Sequence, residues 1–419
     1  MQRRHLKSLV VLCLVLLLTL SAASLAFAKV TLTFWNGFTS SDGDILREIV
    51  DRFNQLHVGE IEIQMDIIPW EVMFQRLPPA IATNTAPSFI LMGYDTLGEY
   101  VRENAIQPLD DIWETTGLKK DDFVPSVLDM LVVDGKQYGI PMQYNLVYLF
   151  WNKTLFAEAG LDPDVPPETW EEAMEFAVKL TDPRKNQYGF GLPTKTAPLY
   201  WLSLFWGYGG EVFDTQTLEA RINSPENIAA LKVVQDAVVN HRVSPRNTTG
   251  PELDNMFWAE RVAMLVNGPW VINGLREAGI DFGVAAAPRG PVRHQVSMDT
   301  VGFYVPASTS EEEKQAVYKF IEYWNSPEIG KEWTMRNGFP PYLYSVINDP
   351  EVQNDAVQSA IAGLGDLGRV WGEGYAYSGL IASDVMWPLM EEVLTGAYTP
   401  EEGVQRAEKA MNEILNTYQ

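Results

Sequence analysis

Five tryptophans stand where a flat aromatic face could be left open: Trp35, Trp70, Trp206, Trp270 and Trp371 fall at predicted strand ends or in glycine-rich loops. Such faces suit the apolar C–H faces of sugar rings, while amides, carboxylates and guanidinium groups take the hydroxyls. All 13 tryptophans lie beyond residue 28, but composition alone does not place them. Trp113, Trp170, Trp258, Trp324 and Trp387 fall on helical segments and are expected in the core.

Signals for reaction chemistry are weak. Gly363, Gly365 and Gly368 satisfy G-x-G-x-x-G, but the run follows a helical stretch, 354–362, where phosphate binding needs a strand. It reads as a loop. Beyond residue 28 only His57, His241 and His294 occur, none at metal-ligand spacing, and neither G-x-S-x-G nor H-E-x-x-H is found. The acidic pairs Glu171-Glu172, Glu391-Glu392 and Glu401-Glu402 offer the two carboxylates that glycoside hydrolysis uses. Two of these pairs open predicted helices, where negative charge favours the helix dipole, and the third lies within one. Solvated faces account for them, so no enzyme, metal or cofactor is expected.

The elements that position these residues belong to an exported chain. Arg3, Arg4 and Lys7, an apolar core from Leu9 to Leu20 and a small-x-small site at Ala26-Phe27-Ala28 make residues 1–28 read as a cleavable signal peptide. Its apolar core is too short to span a bilayer comfortably. Cys13, the single cysteine, lies inside that core behind Leu12, where lipidation would want a small residue, so a lipid anchor is not expected. Cleavage would leave 391 of the 419 residues, free of cysteine and disulfides. It would also take three of 31 basic residues and none of 55 acidic ones, moving the net charge from −24 to −27. That field repels nucleic acid and anionic lipid and keeps an exported protein in solution.

Periodicity sets the architecture. Val30, Leu32 and Phe34 alternate with polar residues, Ile45, Leu46, Ile49, Val50 and Phe53 keep helical spacing, and Ile61, Ile63, Met65 and Ile67 alternate again. A helix near Glu71, a strand from Phe89 to Met92 and a helix after Thr96 continue a β-α-β pattern, which argues a parallel sheet with right-handed crossovers. Ligands of such sheets bind beyond the carboxyl ends of the strands, here Trp35 to Thr39, Pro69-Trp70 and Gly93 to Asp95. From Leu146 to Trp151 an apolar run reads as a buried strand, and Thr169 with Glu172 fits a capping box. Ser310 with Glu313 makes another, and Ser224-Pro225 and Thr399-Pro400 are helix starts. Length allows two domains with full cores, and no obvious linker separates them.

The wording of 138–172 carries more than structure. Gly139-Ile140-Pro141, an apolar strand ending at Trp151-Asn152-Lys153, a helix ending at Ala159-Gly160-Leu161 and Pro166-Pro167-Glu168-Thr169-Trp170-Glu171-Glu172 follow in that order. Phe34-Trp35-Asn36-Gly37, Ala86-Pro87-Ser88 to Asp95, Ala263-Met264 to Gly268-Pro269-Trp270, and Gly302-Phe303-Tyr304-Val305-Pro306 add further blocks. Together they resemble the family 1 extracellular solute-binding proteins, the sugar-capturing subunits of ABC importers of the maltose-binding type. Ser88 departs from the acidic residue that the family usually has after that proline.

The resemblance implies a two-lobed periplasmic-binding-protein fold of the α/β class, each lobe a mostly parallel sheet flanked by helices, with three interlobe crossings. The crossings are expected near 143–147, 285–288 and 348–353. The N-terminal lobe then comprises 29–143 plus 288–349, and the C-terminal lobe 148–285 plus 353–419. It also implies a monomer outside the cytoplasmic membrane that captures a sugar between its lobes and delivers it to a permease. An exported carbohydrate-active hydrolase or lyase, or a binder of a polyol or glycerophosphodiester, is the alternative. Trp270 matches the family's ligand-stacking tryptophan, and Asp95 an acidic position that takes sugar hydroxyls. Asn36, Phe38, Thr39, Gln143, Tyr144, Trp206, Asp299, Arg369 and Trp371 fall in loops where relatives often contact ligand, and Trp70 joins the expected site from its place just after a strand end.

Overall fold

The computed structural model describes residues 29–418 apart from 40, 195–198, 362–363, 373–374 and 376. The expected signal peptide and Gly363 lie outside the described residues. The strands that matter to the site are β1 (Val30–Asn36), β2 (Ile61–Ile67), β3 (Phe89–Gly93), β4 (Gly139–Leu146), β5 (Tyr148–Asn152), β6 (Met264–Asn267), β7 (Phe282–Ala286), β8 (Val296–Tyr304) and β9 (Gly368–Val370). The helices are α1 (Ser41–Leu56), α2 (Trp70–Ala82), α3 (Trp170–Leu180), α4 (Leu199–Gly207), α5 (Gly250–Trp258), α6 (Val271–Glu277), α7 (Glu311–Trp324), α8 (Pro327–Asn337) and α9 (Pro400–Thr417).

Alternation decides the first lobe. Leu32 and Phe34 of β1 are fully buried while Thr31 and Thr33 face water, and α1 buries Ile45, Leu46, Ile49, Val50 and Phe53 against the sheet. The sheet runs β9-β8-β3-β1-β2, with β4 also paired to β8. Its β1-β2, β1-β3 and β8-β9 pairings are parallel; β8 runs antiparallel to both β3 and β4, with an irregularity at Val301/Gly302.

The second lobe departs from the parallel arrangement expected of it. Its sheet, β6-β5-β7, is antiparallel at both pairings. The cause is the way the chain enters. The apolar run expected as one strand divides at Val147: β4 ends in the first sheet at Leu146, and β5 starts in the second at Tyr148. Because β5 enters directly from the crossing, it runs away from the first lobe, while β6 and β7 run back towards it and place Asn267 and Ala286 beside Tyr148. The two-lobed α/β class itself holds.

Cap chemistry fixes the helix starts. Ser310 and Thr399 form reciprocal boxes with Glu313 and Glu402, and Ser224 caps the helix opened by Pro225. At Thr169 only half the box forms: Thr169 accepts from Glu172 N, but the Glu172 carboxylate accepts from Glu168 N at 2.9 Å. Glu171-Glu172 and Glu401-Glu402 occupy first turns, and Glu391-Glu392 lies inside 387–394.

Ser88 explains its own departure from the family. Its hydroxyl accepts from Thr33 N at 3.1 Å and donates to Glu313 Oε1 at 2.9 Å, so an acid at that position would face a carboxylate. Ser88→Ala is expected to lower unfolding stability by about 1 kcal/mol, read from the denaturant midpoint at unchanged slope.

Each lobe has its own core, one around Phe34, Phe89, Phe320 and Trp324, the other around Tyr148, Phe150, Trp170 and Trp201. Tyr144, Trp270 and Met298 pack against both. Of the tryptophans expected inside, Trp170 and Trp324 are fully buried. Trp113, Trp258 and Trp387 are only half-buried, because each lies on a short helix or at a helix end, where one side of the ring clears its neighbours.

Candidate functional site

The first-lobe wall is built by the ends of β1, β3 and β8. Asn36 is fully buried at the end of β1, its Oδ1 accepting from Phe38 N at 3.1 Å and its Nδ2 donating to Asp66 O at 3.3 Å. It braces the turn. Gly37 then lets the Trp70 indole lie against the backbone, since a Cβ there would be 2.0 Å from the ring. Trp70 is half-buried between Phe38, edge-to-face at 5.6 Å, and Phe74, stacked at 5.8 Å. Phe38 is itself covered, lying against Trp333 at 6.1 Å. Thr39 is exposed, and Trp35 is half-buried.

Two carboxylates converge in the same lobe, over Gly93 at the end of β3. Asp95 follows β3 and Asp299 lies on β8; Asp95 Oδ1 and Asp299 Oδ2 lie 2.7 and 3.5 Å from the point where a Gly93 Cβ would stand. Both side chains are half-buried. Burial pushes both carboxyls above the ordinary range, and the Asp95 charge raises Asp299 further. Tyr144, half-buried on β4, touches both cores. Its neighbour Gln143 is buried, with Oε1 accepting from Trp333 Nε1 at 3.0 Å, and so acts as a brace.

The second-lobe wall is aromatic and charged. Trp270 follows β6, and its indole folds over Gly268, where a Cβ would lie 1.9 Å from the ring; Tyr200 of α4 meets it edge-to-face at 6.2 Å. Trp206, at the other end of α4, is buried under Arg369, which reaches it from β9 at the edge of the first sheet and holds its guanidinium 4.6 Å from the ring centre. Arg369 does not stand free. Its Nη1 and Nη2 reach the two oxygens of Glu211 at 3.0 and 2.7 Å, and Arg293 reaches the same carboxylate at 2.7 Å. Burial alone would raise Glu211, but hydrogen bonds and charge from Arg369 and Arg293 hold it below the usual carboxylate range. Trp371 is buried edge-to-face on Phe213 at 5.4 Å.

The walls touch in two further places. Ser378 Oγ donates to Asp95 O at 3.0 Å, joining the short helix Ser378–Ile381 to the first lobe. Asp254 of α5 and Asp42 of α1 are both buried, and Asn267 Nδ2 donates to Asp254 at 2.6 Å. Burial pushes Asp254 up to about 7; the Asn267 hydrogen bond opposes this, and the charge of Asp42 across the seam adds to it.

Trp70, Asp95, Tyr144, Trp270 and Asp299 are therefore partly open, with Tyr144 and Trp270 touching both cores and Asp95 meeting Ser378, while Asn36, Phe38, Gln143, Trp206 and Trp371 are covered. Sequence reasoning missed Tyr200, Glu211, Arg293 and Ser378. Glu211 follows Gly209-Gly210 and could have been suspected as a loop carboxylate; nothing in the sequence marks the other three.

The model of the bacterial extracellular solute-binding protein family matches residues 48–358. The chain belongs to this family. Among similar proteins, the maltotriose-binding protein of Pyrococcus abyssi is 27% identical over 333 residues, 72% of this chain and 68% of that protein. An ABC transporter solute-binding protein of Thermotoga lettingae, solved with α-D-tagatose, matches with TM-score 0.84 at 23% identity, covering 92% of this chain and 100% of that one. T. maritima MalE3 with maltose bound gives 0.82 at 21%, again covering 92% and 100%. The family match makes this a member of an extracellular family of solute-binding proteins, and the solved structures show that it shares their fold. Among its described residues no helix is long and apolar enough to cross a membrane.

Proposed function

We propose that this solute-binding protein captures a mono- or oligosaccharide between its lobes, leaves it chemically unchanged and hands it to the permease of an ABC importer. The observation that carries the reading is a half-buried tryptophan, Trp270, that packs against the cores of both lobes, together with two carboxylates, Asp95 and Asp299, that converge over Gly93 in the first lobe. The maltotriose-binding relative supports it. The lobes meet at Val147, at the segment between β7 and β8, and near 348–353; the protein works as a monomer after cleavage before Lys29.

The test is a thermal-shift screen of the purified mature protein against mono- and oligosaccharides, since a ligand that binds only the folded state raises stability by mass action. A shift of several degrees with one class, one-to-one titration and no product by chromatography is the expected result. Turnover beyond one equivalent would move the protein to the hydrolases, and no shift with any saccharide would remove the reading.

Ligand can favour the closed arrangement only through contacts missing from the open one, a hinge motion for which periplasmic binding proteins are a general example. Opening breaks the Ser378–Asp95 contact. Small-angle scattering is therefore expected to show a smaller radius of gyration with saccharide than without, and equal profiles at saturation would contradict hinge closure.

A further inference from the structure

Asp95 and Asp299 meet over Gly93 with their carboxylate oxygens 2.7 and 3.5 Å from one point, so both address the same small volume. Their donors are backbone amides: Thr300 N at 2.8 Å and Tyr94 N for Asp299, the amides of Asp95 and Thr96 for Asp95. No lysine or arginine among the described residues is a partner of either carboxylate. The arginines that flank β8, Arg369 on the paired strand β9 and Arg293 ahead of its start, are engaged by Glu211. The Tyr304 hydroxyl is fully buried, has no hydrogen-bond partner among the described residues, and has Asp299 and Asp95 as its leading charged neighbours.

Two half-buried carboxylates in one volume repel each other through a medium that screens poorly, and in the empty site a retained proton relieves that repulsion. A sugar hydroxyl can donate one hydrogen bond there but brings no positive charge that would let both carboxylates ionise. An ammonium group brings three donors and the missing charge, and its hydrogen bonds to carboxylates are of the stronger, charge-assisted kind. We propose that the ligand of this cleft is an amino-bearing saccharide or amino-polyol whose protonated amine is seated between Asp95 and Asp299 above Gly93. The proposal rests on the saccharide reading and narrows it to a chemical class.

The experiment titrates the mature protein near neutral pH with matched probes that differ at a nitrogen: glucosamine against glucose, and 1-amino-1-deoxysorbitol against sorbitol. The amino member of at least one pair is expected to bind about tenfold tighter or more. Asp95→Asn and Asp299→Asn should each bring that ratio towards about one, with thermal unfolding confirming a folded variant; if either variant does not fold, the wild-type ratio decides. Neutral probes binding as tightly as their amino partners would overturn the proposal and leave the saccharide reading standing. No binding by any of the four would overturn the proposal, and the saccharide reading would then be decided by the wider screen.

Discussion

Replacing Trp270 by alanine should weaken binding of the saccharide found by screening by about 2–4 kcal/mol, the range of an aromatic anchor in a desolvated site. Trp270 stands directly after Gly268-Pro269, where the missing Cβ of Gly268 lets the indole fold onto the backbone and Tyr200 supports its edge. The ring is half-buried and touches both cores without belonging to either, which is what a ligand-facing side chain at a seam requires. Loss of affinity should therefore come with an unfolding midpoint close to that of the wild type. Titration calorimetry and denaturant unfolding on one variant separate the two effects. Unchanged affinity with a collapsed midpoint would make Trp270 a core residue and strike it from the site.

A second large effect is expected from Asp254→Asn, and it should depend on pH. A carboxyl pushed up to about 7 in the folded state from an ordinary 3.8 carries no penalty while protonated in both states. As pH rises past the unfolded value the unfolded chain releases its proton first, and native stability falls until the folded group ionises as well. Asparagine keeps an acceptor for Asn267 and removes the charge that faces Asp42. Unfolding free energy should therefore rise by about 2 kcal/mol near pH 8 and stay within a few tenths near pH 4. An equal change at both pH values would mean that the substitution acts through packing, and a loss near pH 8 would mean that Asp254 has a cationic partner.

Strong periodicity and capping chemistry were legible in the sequence. The alternation of β1 and β2, the stripe of α1 and the boxes at Ser310 and Thr399 are local, so the chain spells them directly. The antiparallel second sheet was not legible, because strand direction there follows from where β5 enters and not from any pattern within β5, β6 or β7. The site divides in the same way. Asp95, Trp70 and Trp270 stand beside strand ends that the pattern announces. Asn36 and Gln143 have the right residue type but turn their amides to the backbone or to Trp333, a choice made by tertiary neighbours. Glu211 takes up both guanidinium groups from 158 and 82 residues away, a pairing that no local signal encodes.

The passage through Val147 has a mechanical consequence. One chain leaves the first sheet at Leu146 and enters the second at Tyr148, and the Val147 amide donates to Ser297 O at 3.1 Å, the residue after Val296, where β8 begins. Two neighbouring backbones tied by a hydrogen bond behave like a leaf spring: they flex across their width and resist twisting or sliding along their length. With the hinge closure proposed above, relative movement of the lobes would be held near a single rotational coordinate. Each stroke would then bring Trp270 back to the same place against the first lobe, and the outer surface would take one of two reproducible shapes instead of a continuum.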